Sequence, residues 1–87
     1  MLDPAQKSPL YFQLAELLRG RIRKGELPAG SPIPSEHELA ASFGLGRPTV
    51  RQATELLVRE GLLERRRGAG TFVRPLQPRV DLFTLEG

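Results

Sequence analysis

The chain has no Cys and no Trp among its 87 residues, and only one His, one Met and one Tyr. Without Cys there is no disulfide framework and no thiolate metal site, which fits a reducing compartment. A single His cannot build a structural zinc site alone. It also leaves few options for acid–base chemistry. No Ser/His/Asp set and no carboxylate pair stands out, so an enzyme is not expected. No apolar run approaches the roughly 18 residues of a membrane-spanning helix. The opening MLDPAQKSP lacks the apolar stretch of a secretory signal. The expectation is a cytoplasmic protein without metal, cofactor or membrane segment.

What the chain does have is Gly, Pro and Arg in particular places. The net charge is only +3. Its distribution says more, because Arg47 to Arg74 holds seven Arg against three Glu, a local charge of +4. A basic stripe on an otherwise balanced chain points to an anionic partner. The alternative is a solvated charged surface.

Hydrophobic spacing predicts a first helix over about Pro9 to Lys24, with Ser8 as N-cap and Pro9 at the first helical position. Tyr11, Leu14, Leu18 and Ile22 form its apolar stripe, widened by Leu10 and Leu17. Gly25 to Pro34 is rich in turn formers, with room for a short extended piece at Ser31 to Ile33. Ser35-Glu36-His37-Glu38 has the form of a capping box and opens a second helix that buries Leu39, Ala40 and Phe43 and stops at Gly44. After Gly44-Leu45-Gly46, a third helix carries Val50, Ala53 and Leu57 inward, with Leu45 as an inward plug and Gly46 as N-cap. Leu62 to Arg65 and Thr71 to Arg74 are expected to pair as a hairpin around a glycine-rich loop. The expected order is helix, short strand, helix, helix, hairpin.

Two short helices joined by a tight Gly-containing turn form a helix-turn-helix, whose second helix enters the major groove by its N-terminus. That end is the segment FGLGRPTVRQA. Free amides and partial positive charge at a helix start suit a phosphate. Arg47 and Arg51 lie one turn apart on one face, and either can offer a two-pronged donor to guanine O6 and N7. The Thr49 hydroxyl can bond a phosphate or base edge, and Pro48 stiffens the first turn where its missing amide is not needed. In the hairpin, Arg65, Arg66 and Arg67 precede Gly68-Ala69-Gly70, whose small residues let backbone approach a sugar–phosphate chain. An arginine at the tip can enter a narrow minor groove, and Arg67 is nearest that tip.

Other readings stand beside these. The basic hairpin can instead be an edge strand guarded by charge. His37 reads as a surface residue near a helix start, or one lying against a phosphate. Ser35 and Glu38 are first of all a cap, with any contact from Ser35 to DNA additional. Gly44-Leu45-Gly46 lacks the third glycine of a dinucleotide fingerprint, and Gly68-Ala69-Gly70 lacks the Lys-Ser/Thr of a phosphate loop. The rival to a DNA reader is a module that binds protein, or nucleic acid without sequence preference.

The stretch IPSEHELAASFGLGRPTVRQATELLVREGLLERRRGAGTFV resembles the DNA-binding domain of the GntR family of bacterial transcriptional regulators. The likeness rests on Pro34-Ser35-Glu36, Glu38-Leu39-Ala40, Phe43-Gly44, Arg47-Pro48-Thr49-Val50-Arg51, Glu60-Gly61-Leu62 and Gly68-x-Gly70-Thr71-Phe72-Val73. It runs from about Ser8 to Arg74. The resemblance implies a mainly α fold with a small β-hairpin, a winged helix-turn-helix over residues 8–74, with the helix-turn-helix near 35–54 and the wing near 62–74. It implies DNA contacts from Ser35, His37, Arg47, Pro48, Thr49, Arg51, Arg67, Gly68 and Gly70. The family often carries Arg at the position of His37 and Ser or Thr at that of Gly46. PLYFQLAELLRGRI and VDLFTLEG look most like the branch related to the histidine-utilisation repressor. Residues 75–87 would then be a linker and the start of an effector-binding domain that is otherwise missing. The implied partners are a pseudo-palindromic double-stranded operator, a second copy in the full-length regulator, and a small-molecule effector, usually for a repressor. Alone, the chain is expected to be a monomer or weak dimer.

Overall fold

A computed structural model describes residues 2–75. Three helices, α1 (Leu10–Arg23), α2 (Glu36–Phe43) and α3 (Arg47–Arg59), precede a hairpin of β1 (Leu63–Arg66) and β2 (Gly70–Val73). The expected order holds. Beyond Pro75, the expected linker and start of a further domain over residues 75–87 lie outside the described residues.

Helix α1 starts one residue later than its Ser-Pro signal suggests. Pro9 is extended, with φ −60° and ψ 152°, and is itself the N-cap. Its carbonyl accepts from the Phe12 and Gln13 amides at 3.1 and 3.0 Å. Ser8 therefore does not cap the helix. Its carbonyl accepts instead from Gln13 Nε2 at 2.8 Å. Gln13 is buried, a polar residue that apolar spacing alone does not place inside. Its amide exchanges two bonds with the Asp3 backbone, at 2.7 and 2.9 Å, which ties the leading segment down onto α1. Tyr11 and Ile22 of the expected stripe are only partly buried, and Leu14, Ala15 and Leu18 make its centre.

The capping box of α2 forms in full. Ser35 Oγ accepts from the Glu38 amide at 3.0 Å, and the Ser35 amide donates to Glu38 Oε1 at 2.9 Å. Gly44 ends the helix with φ 66°, a left-handed conformation that side chains with a Cβ disfavour. The Leu45 amide then reaches the Ala40 carbonyl at 3.1 Å, and Leu45 packs against the core as expected.

One core joins all elements: Leu14, Ala15 and Leu18 of α1, Leu39 of α2, Val50, Ala53 and Leu57 of α3, and Leu63 and Val73 of the hairpin, with Ile33 from the loop before α2. The loop also carries the expected extended piece. Pro32 bridges Phe72 in antiparallel sense. The Val73 amide donates to the Ser31 carbonyl at 2.8 Å and the Ile33 amide to the Thr71 carbonyl at 2.9 Å. Pro32, which has no N–H, occupies a bridge where Ser31 accepts and Ile33 donates on either side of it.

The hairpin pairs Leu63 with Val73 and Arg66 with Gly70. Both strands keep four residues but are displaced by one towards the tip from the expected limits, the first ending at Arg66 and the second starting at Gly70. A turn explains the shift: the Ala69 amide donates to the Arg66 carbonyl at 2.9 Å, across Arg67 and Gly68. Gly68 has φ 76° at the third turn position, where glycine is favoured.

Candidate nucleic-acid interface

Helix α3 buries Val50, Ala53, Thr54 and Leu57 and turns its opposite side to solvent. Arg47, Pro48, Arg51 and Gln52 are exposed, and Thr49 is half-buried. Gly46 caps the helix in an extended conformation, φ −73° and ψ 152°, without a side-chain bond, as its lack of a hydroxyl requires. The helix start carries Arg47 and Arg51 with no acidic residue in its first turn, while Pro48 has no N–H and the Thr49 amide donates to the Gly46 carbonyl at 3.1 Å.

Arg47 and Arg51 differ in their surroundings. Arg47 has no ion-pair partner among the described residues. Arg51 is held by Glu36 at the start of α2, through Nη2 at 3.0 Å and Nε at 3.3 Å from both carboxylate oxygens. This hydrogen bond holds the Glu36 carboxyl below its ordinary value, with the charges of Arg51, Arg65 and Arg47 adding and partial burial opposing. The same contact raises the Arg51 guanidinium above its ordinary value.

Arg65 closes a second side of this network. Its Nη2 lies 4.0 Å from Glu36 Oε2 and donates to Thr54 Oγ1 at 3.1 Å, while Nη1 lies 3.5 Å from Glu55. Thr54 is 1% exposed, and its hydroxyl donates in turn to the Arg51 carbonyl at 3.0 Å. Arg66 points elsewhere, donating to Glu64 at 2.8 Å with its guanidinium 4.3 Å from the centre of the Phe72 ring. Arg67 is exposed at the tip and has no partner among the described residues. The three consecutive arginines therefore divide: Arg65 inward to α3, Arg66 onto the wing's own aromatic ring, Arg67 free.

Ser35 and Gly70, both expected site residues, line one cleft between the start of α2 and the wing, together with Glu36, Thr54 and Thr71. Arg51 joins that cleft through Glu36. His37 is exposed on the first turn of α2, and Gly68 is exposed at the wing tip. Sequence reasoning missed Glu36, Thr54 and Arg65 as parts of one network. Thr54 follows Val50 by four residues, a spacing that places it on the inner side of α3, but the expected stripe of Val50, Ala53 and Leu57 did not include it.

Residues 10–73 match the family described as bacterial regulatory proteins, gntR family. This chain belongs to that family. It is 54% identical over 65 residues to the HTH-type transcriptional repressor NagR of Bacillus subtilis, covering 75% of the chain and 27% of NagR. It thus spans about a quarter of that relative's length. Among solved structures, YtrA from Sulfolobus acidocaldarius, a GntR-family transcription factor, is similar with a TM-score of 0.83 and 34% identity, over 91% of this chain and 83% of that one. The AraR(DBD) in complex with operator ORX1 is similar with a TM-score of 0.76 and 37% identity, over 84% and 90% of the two chains. The fold is the winged helix-turn-helix of GntR-family DNA-binding domains.

Proposed function

We propose that this chain reads double-stranded DNA in a sequence-specific way, as the operator-binding domain of a transcriptional regulator and most simply a repressor. The observation that carries this reading is the exposed start of α3, where Arg47, Pro48, Thr49 and Arg51 are grouped at a helix N-terminus that has no side-chain cap. In this reading α3 lies in a major groove, with Arg47 and Arg51 at base edges or phosphates and Thr49 beside them. Arg67, free at the wing tip, enters the neighbouring minor groove, and Gly68 and Gly70 let the tip approach the backbone. Ser35 and His37, at the start of α2, face a phosphate. NagR is a repressor and AraR binds an operator, which support the same role here.

The domain is taken as residues 8–74, followed by a linker towards an effector-binding domain. In the full-length regulator two copies read a pseudo-palindrome, and a small-molecule effector changes how the two heads are set. Placement in the branch related to the histidine-utilisation repressor rests on the opening and closing segments alone. A cytoplasmic location follows from a role on DNA. No described helix is long and apolar enough to cross a membrane.

The test is selection of bound duplexes from a random library, followed by fluorescence anisotropy on the selected and scrambled sequences. Arg47→Ala or Arg51→Ala should weaken the selected duplex by about 10- to 100-fold wherever the residue reads a base, with a smaller loss on scrambled DNA. Arg67→Ala should weaken both and flatten the salt dependence by about one unit of slope. Equal losses on both duplexes would reject base reading for the residue concerned. A wild-type chain that prefers no sequence would instead favour a non-specific or protein-binding module.

A further inference from the structure

Glu36 is the carboxylate paired with Arg51 at the basic readout end, and its position is unexpected there. A carboxylate facing DNA repels phosphate, so on charge alone it weakens binding. Yet it is the partner that fixes Arg51. Its two oxygens take the Nε and one side of Nη2, at 3.0 to 3.3 Å. A guanidinium has five N–H donors, and this side-on grip leaves the Nη1 edge and the outer Nη2 hydrogen unused. Those are the donors that can meet guanine O6 and N7 end-on. Arg51 itself remains more than half exposed, with its side chain at 54% against 26% for Glu36.

The grip is itself supported. Arg65 of the wing stands 4.0 Å from Glu36 and is bonded to the Thr54 hydroxyl, which bonds back to the Arg51 carbonyl. A closed circuit therefore runs from α2 through the wing and the buried side of α3 to the backbone of Arg51. Long flexible cations lose conformational freedom when they bind, and a side chain already ordered loses less.

We propose that Glu36 is a positioning residue for sequence recognition: it pre-orders Arg51 for base reading and, by its negative charge, suppresses binding to unrelated DNA. This rests on the DNA-reading function above. It predicts effects of opposite sign on two duplexes, which a merely structural role does not.

The experiment uses the 87-residue chain, a duplex selected from a random library by the wild type, and a scrambled duplex of the same composition. Glu36→Gln removes the charge and one arm of the grip. It should strengthen binding to the scrambled duplex and steepen its salt dependence, while the preference for the selected duplex falls about tenfold. Glu36→Asp keeps the charge but shortens the reach, so preference should fall with scrambled-duplex affinity unchanged. In an Arg51→Ala background, Glu36→Gln should no longer alter the preference, as a coupled pair requires. Thermal unfolding of each variant confirms a folded sample. If the wild type discriminates and both Glu36 variants discriminate equally well, or if Glu36→Gln lowers affinity for both duplexes in the same proportion, the inference is overturned while DNA reading stands. A wild type without preference removes both.

Discussion

Glu36 lies 3.0 Å from Arg51 and 4.0 Å from Arg65, so its charged form is favoured in the folded chain and its carboxyl is held below the ordinary 4.5. In the unfolded chain those partners are dispersed. A depressed acid binds fewer protons when folded than when unfolded, so it contributes stability above its unfolded value and loses that contribution as pH falls through its folded value. Urea midpoints taken at descending pH should therefore drop across that window. Glu36→Gln, which cannot ionise, should show a shallower drop over the same range. Identical slopes for the two proteins would mean that the ion pair does not stabilise the fold. Thr54 shows a related point about single residues. It is buried at 1% exposure because both of its hydroxyl's bonds are satisfied inside, one given to the Arg51 carbonyl and one taken from Arg65.

Helix ends carry most of what the sequence makes legible at the scale of elements. The capping box at Ser35 and Glu38, the stop at Gly44 and the inward stripe of Val50, Ala53 and Leu57 are local signals, each set by residues within about one turn of each other. The exposed faces of Arg47 and Arg51 follow from the same stripe. Less legible were the features whose partners are far away in the chain. Gln13 is buried because the backbone of Asp3 and Ser8 folds over it, and the Glu36–Arg51–Arg65 network joins three elements. The hairpin limits missed by one residue, because the register is set by where the turn closes across Arg67 and Gly68, and two nearby glycines offered more than one closure. Gly46 marks an element end that can be improved. A Cβ there would meet only Pro48 Cδ at 3.6 Å, an ordinary contact, and the backbone is already extended. Gly46→Ser should supply the missing cap and reduce unfolded-state freedom, stabilising the fold by about 0.5 kcal/mol. The check is a urea unfolding midpoint that rises with an unchanged slope; no rise would mean that the serine hydroxyl does not bond the Thr49 amide.

At the scale of the whole molecule, one core carries both the exposed start of α3 and the exposed wing tip, the two DNA contacts of the proposed reading. In that reading each copy would touch one half of a palindromic site. Its affinity is limited by the small number of phosphates it can neutralise, since each contributes about −0.9 to the slope of log affinity against log salt. Joining two copies changes this without any new DNA contact. Once the first copy is bound, the second binds at an effective concentration set by the tether, and affinity rises by about 10²- to 10⁴-fold where both half-sites are reached together. A chain fused after residue 87 to a parallel dimeric coiled coil through a flexible linker should therefore bind the selected palindrome in that range more tightly than the untethered chain, with about twice its salt slope. Moving the half-sites by about five base pairs turns them to opposite faces of the duplex, since one helical turn is about 10.5 base pairs. That spacing should cost most of the gain, with a partial return at a full turn. A gain indifferent to spacing would mean that the tether, rather than two heads set on one face, controls binding, and the dimeric reading of the operator would have to be given up.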